Sequence, residues 1–106
     1  MDSDLYHWTG ASGREHEFWV YGLDQEFDAI GALFLYVKNT SPNEASIVYV
    51  NQTNRMDLVA KNPLAEEIIK EFQPTSLHII FNNQVGERKA IMADLILKHN
   101  PPGNRE

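Results

Sequence analysis

The chain has 106 residues, enough for one domain with its own core and too few for two. It contains no cysteine, which excludes a disulfide frame, a thiolate metal site and a cysteine nucleophile. Its net charge of -6 is uneven: residues 1–28 hold seven acids (Asp2, Asp4, Glu15, Glu17, Asp24, Glu26, Asp28) and one base, Arg14, whereas residues 29–106 hold eight of each. No basic stripe for phosphate contacts results, so a nucleic-acid partner is not favoured.

Residues 1–15 read as a flexible, acidic N-terminal segment, and residues 16–106 as a single domain. The first ten residues, MDSDLYHWTG, lack a basic start and an apolar run, and AIGALFLYV is too short to span a bilayer, so a cytoplasmic location without membrane contact is expected. HEFWVYGL (16–23) alternates, with Phe18 and Val20 on one face and Glu17, Trp19 and Tyr21 on the other, the pattern of a half-buried strand. LDQEFDAIG is a connector. ALFLYVK (32–38) is apolar on both faces, as a covered central strand requires. NTSPNEA (39–45) reads as a hairpin loop and SIVYVNQ (46–52) as its returning strand.

Asn54 and Asn62 are candidate helix N-caps, and Pro63 suits a first helical position. Leu64, Ile68, Ile69 and Phe72 form one helical stripe. QPTS (73–76) breaks that helix, LHIIFNN (77–83) is another core strand with His78 alternating outward, and a last helix runs from about Gly86 to His99, stopping at Asn100 before Pro101. On that helix Asp94 and Lys98 are an i,i+4 pair. The expected fold is α+β: a small mixed or antiparallel sheet with a β-β-α-β-α core and an extra N-terminal strand.

This order, with YVNQTNR after the second core strand and IMADLILKHNPPGN at the end, resembles the GIY-YIG nuclease superfamily over residues 29–104, in particular its small single-domain bacterial members. The resemblance implies phosphodiester hydrolysis by a tyrosine from each strand motif, an arginine on the next helix, and a glutamate on the last helix holding a divalent metal, with an asparagine nearby. Transferred position by position, the first triplet falls on Gly31-Ala32-Leu33, replacing the tyrosine by Leu33; Tyr36 lies on the other side of its strand. The second falls on Tyr49-Val50-Asn51, keeping the tyrosine and losing the glycine to Asn51. The arginine position falls near Leu58 or Val59, with Arg55 three or four residues early. The metal glutamate falls on Met92, and the asparagine is kept as Asn104.

A thioether is soft and uncharged and does not hold magnesium. Neither Asp94 nor Glu87 shares the Met92 face of a helix, whereas Arg88, Ile96 and His99 do. The expectation is therefore a catalytically inactive GIY-YIG-like domain that needs no cofactor and acts by binding a protein partner or its own copy, through Tyr6, Trp8, Trp19 and Tyr21. The alternative is a divergent endonuclease using Tyr49, Arg55, another carboxylate and Asn104, with magnesium or manganese. A third reading is a non-cleaving nucleic-acid binder. No histidine pair has zinc-ligand spacing, so no metal site is expected.

Overall fold

The computed structural model describes residues 4–41 and 44–104. Seven elements build it: β1 (Asp4–Thr9), β2 (Glu15–Tyr21), β3 (Ala32–Ser41), β4 (Glu44–Thr53), α1 (Pro63–Phe72), β5 (Ser76–Phe81) and α2 (Val85–His99). A short 3-10 helix, Met56–Lys61, links β4 to α1, and another, Pro102–Asn104, follows α2. The five strands form one sheet in the order β1-β2-β5-β3-β4, and every neighbouring pair is antiparallel. The α+β expectation stands in this coarser form.

Period-two side-chain alternation divides the core into two halves. On one face Phe34, Tyr36, Tyr49, Leu77 and Ile79 pack with Met56, Val59 and, from α1, Ala65 and Ile68. On the other Trp8, Phe18, Leu33, Leu35, Val37 and Val50 pack with Leu95 of α2. Residues 32–37 of β3 are buried throughout, because β3 lies between β5 and β4 and both its faces are covered. Burial of each such aliphatic or aromatic side chain contributes about 1.5–3 kcal/mol.

Local chemistry fixes the helix ends. The Asn62 side chain accepts the Leu64 N–H at 2.9 Å ahead of Pro63 at the first turn of α1. Left-handed residues Gln73 and Asn100 close α1 and α2, and the Asn100 N–H bonds the Ile96 carbonyl at 2.8 Å.

Several expectations are corrected. Over Asp4–Thr9 the segment expected to be loose is a strand paired with β2; residues 1–3 lie outside the described residues. β3 and β4 run on through most of the expected 39–45 loop, to Ser41 and from Glu44; Pro42 and Asn43 of that loop lie outside the described residues. His78 is 3% exposed rather than outward-facing, because Trp8 of β1 reaches over it. Asp94 turns from Lys98 toward the β1–β2 turn. Its carboxylate accepts the Ser12 N–H at 2.8 Å, the Ser12 O–H at 2.8 Å and the His16 Nε2–H at 2.9 Å. A Cβ on Gly10 would overlap the Asp94 carboxylate, so this clasp depends on a glycine there.

Candidate functional site

A cleft of about 280 Å³ opens between β3–β4 and the segment running from the 3-10 helix into α1. Its floor is aromatic: Phe34 stands edge-on to Tyr36 with ring centroids 6.0 Å apart, and Tyr49 is 6.3 Å from both. Asn51, Gln52, Thr53 and Arg55 form its polar wall, Leu58, Val59, Leu64 and Ala65 its apolar wall. Asn51 Nδ2 donates to the Tyr49 hydroxyl at 2.7 Å, and its Oδ1 accepts the Gln52 N–H at 2.8 Å. The Tyr36 hydroxyl makes no hydrogen bond to a described residue. No buried side-chain nitrogen or oxygen among those residues lacks a partner, so this hydroxyl opens onto the cleft. Burial, with Tyr49 beside it, raises its pKa to about 12, which keeps Tyr36 a proton donor at neutral pH.

Arg55 stands at the mouth in a bidentate pair with Asp57, Nε to Oδ1 at 2.9 Å and Nη2 to Oδ2 at 2.6 Å. Hydrogen bonding and charge raise the Arg55 pKa and lower that of Asp57. The side chain is more than half exposed, so the pair orders the turn more than it stabilises the fold. With Arg55 neutralised by Asp57, the cleft presents phenol and amide groups. It suits a neutral, hydrogen-bonding ligand better than a free cation.

The positions singled out by the resemblance do not form one constellation. Tyr49, Asn51 and Arg55 share the cleft. Leu33 and Met92 lie across the sheet, packed in the α2-side core. Asn104 sits at the outer edge of β4, where its side chain accepts the Val50 N–H and donates to the Val50 carbonyl, both at 2.8 Å. Tyr36 does lie on the opposite side of its strand from Leu33, and that is the side where Tyr49 and the cleft are. Antiparallel register, which pairs Tyr36 with Tyr49, is the signal that finds it.

Beside Met92, sequence reasoning placed Arg88 on the shared helix face, and the structure buries it to 1% exposure. Arg88 Nε donates to Gln52 Oε1 at 3.0 Å, Nη1 to the Asn82 carbonyl at 2.8 Å and Nη2 to Asn54 Oδ1 at 2.6 Å. All three acceptors are neutral, and no carboxylate of a described residue forms an ion pair with it. Gly31 makes room for the guanidinium: a Cβ there would be 2.5 Å from Nη1. A thioether next to an uncompensated cation does not fit magnesium. Among the described residues no three His, Cys, Asp or Glu side chains gather as a metal site.

The aromatic residues expected to bind are divided too. Tyr6 and Trp8 point to the α2 face with Phe18, and Trp19 and Tyr21 to the α1 face with Ile79 and Leu77. Trp8 is buried, 6% exposed; Trp19 and Tyr6 are exposed, 43% and 39%. Tyr21 is half-buried against Phe27, ring centroids 5.1 Å apart.

These features define a small α+β protein: one antiparallel sheet, a helix packed on each face and an aromatic-floored cleft. Comparisons with protein-family models, with characterised proteins and with solved structures give no match.

Proposed function

We propose that the chain is a non-hydrolytic, GIY-YIG-like domain that works as an interaction module, most of its contact surface lying on the β1–β2 hairpin. The β3-β4-α1-β5-α2 succession agrees with the order behind the resemblance. One observation carries the inactive reading: the groups that would have to converge on one phosphate are separated by the sheet, Tyr49, Asn51 and Arg55 on one side, Leu33 and Met92 on the other. Hydrolysis needs them within reach of the same atom. The contact surface is supported by the exposed cross-strand neighbours Leu5 and Trp19, 44% and 43% exposed; tryptophan anchors interfaces. No helix among the described residues is long and apolar enough to cross a membrane.

The test is incubation of supercoiled plasmid and single-stranded DNA with magnesium or manganese. Neither is cut if the reading holds. Cleavage that disappears in Tyr49→Phe overturns it and establishes the second reading, a divergent metal-dependent nuclease. That reading is favoured by the gathering of Tyr36, Tyr49, Asn51 and Arg55 in one cleft.

A further inference from the structure

We propose that the outer edge of β1 receives an extended segment of a protein partner by strand addition, and that this segment alternates apolar and basic side chains. The inference rests on the interaction-module reading and assigns its docking edge and the chemistry of its occupant.

The sheet ends in two edges, β4 and β1, and β4 is capped over Val50–Gln52. On β4, the Asn104 side chain occupies both the N–H and the carbonyl of Val50, and Asn51 Oδ1 takes the N–H of Gln52. On β1, hydrogen-bonded and non-bonded pairs alternate along the antiparallel ladder. The Gly10 N–H bonds the Arg14 carbonyl at 2.9 Å. The bonded pairs that follow are therefore Trp8–His16, Tyr6–Phe18 and Asp4–Val20, and the backbone groups of Leu5, His7 and Thr9 point outward. The Thr9 carbonyl confirms this phase, for it accepts the His99 Nε2–H from α2 at 2.8 Å. The outward groups of Leu5 and His7 have no partner among the described residues. A row of open donors and acceptors at two-residue spacing is the template for strand addition.

The flanking side chains select the occupant. Leu5 and Trp19 are exposed on the α1 face. On the α2 face Tyr6 borders a groove of about 390 Å³ that also contains Asp4, Val20 and His78. An added strand sets alternate residues on opposite faces, so its apolar residues would pack on Leu5 and Trp19 and its basic residues would lie over the Tyr6 groove beside Asp4. Asp4 and Glu17 are exposed along this edge, Glu17 lying 3.2 Å from His7 Nε2, while Glu15 and Arg14 stand at the far turn of the hairpin. A second copy, with a net charge of -6, would bring like charges against this edge; a basic segment is attracted to it. Charge therefore decides for a basic partner over self-pairing.

The experiment uses the whole isotope-labelled chain and a short capped peptide of alternating valine and lysine. Binding is expected to shift the Leu5 and His7 amide signals and slow their exchange, and to weaken severalfold as salt rises. An alternating valine–glutamate peptide is expected not to bind. In His7→Pro, whose lost N–H points away from β2, the fold is expected to persist and binding to fall about tenfold or more. Unchanged Leu5 and His7 signals at saturating peptide would overturn the proposal. So would protection of these two amides that rises with protein concentration in the absence of peptide, which would give the edge to a second copy. DNA cleavage would refute the non-hydrolytic reading while leaving these signals unaffected, so the two failures are distinguishable.

Discussion

The indole of Trp8 crosses over β2 and donates its Nε1–H to Nδ1 of His78, at 3.0 Å. The two strands that carry them, β1 and β5, are not neighbours, so this bond fastens the outer strand to the centre of the sheet. It also fixes the tautomer. Nδ1 accepts, so the proton of the neutral ring is on Nε2, which donates to Ser76 Oγ at 3.2 Å. Burial lowers the His78 pKa to about 4, since a charged ring would lose its hydration and set two donors against each other.

His78 makes stability pH-dependent. Its folded pKa lies below the unfolded value, so above about pH 6.5 both states are neutral and its full contribution is present. Between pH 6.5 and about 4 the unfolded chain takes up a proton that the folded chain refuses, and stability falls by at most about 3 kcal/mol. Urea unfolding at neutral and mildly acidic pH should show this decline in the wild type and a flatter profile in His78→Gln. Equal profiles would refute the assignment.

The Asp94 clasp should persist further into acid. Hydrogen bonds from His16 and from the Ser12 amide and hydroxyl lower the carboxyl pKa to about 2, so its contribution is present above the ordinary carboxylate range and is lost as pH falls through that lower value. Asp94→Ala should accelerate amide exchange across residues 10–16 more than Ser12→Ala does, with α1 unaffected. Uniform acceleration over the whole chain would contradict a local clasp.

Met92→Glu should not create a nuclease. The new carboxylate would stand beside Arg88 on the α2 face, across the sheet from Tyr49 and Arg55. No manganese-dependent nicking of plasmid is expected. Its appearance would show that these groups do converge.

Arg88→Lys should cost about 2–4 kcal/mol in denaturant unfolding, because one ammonium does not span the three acceptors on two segments and leaves a buried charge short of partners. Gly31→Ala should destabilise in the same direction by displacing the guanidinium. A neutral result for both would deny the arginine its role as a core strut.

Trp19→Ala should change stability by no more than about 0.5 kcal/mol, as at other exposed sites, while weakening binding of the valine–lysine peptide. An unchanged affinity would remove this side chain from the contact surface.

The sequence was most legible where the signal is local. Alternation in β2, the apolar run of β3, the Asn62-Pro63 start of α1 and the stop at Asn100 depend on neighbouring residues, and each element lies close to its expected place. Long-range pairing was not legible. β1 carries Tyr6 and Trp8 on one face, yet it is a strand only because a turn containing Gly13, at φ 87°, returns it along β2. His78 looks outward until Trp8, 70 residues away in sequence, covers it. Helix spacing puts Arg88 on the Met92 face, but does not show its burial, because the acceptors that permit it come from Gln52 and Asn54. The cleft needed register: Tyr36 joins Tyr49 through strand pairing, and no spacing along the chain displays that.

The Asn104 carboxamide on Val50 sets a limit on assembly. With both backbone groups of Val50 already taken, that stretch of β4 offers no ladder to a further strand. An added strand is thereby directed to β1, and growth across the Val50 stretch would require Asn104 to let go first.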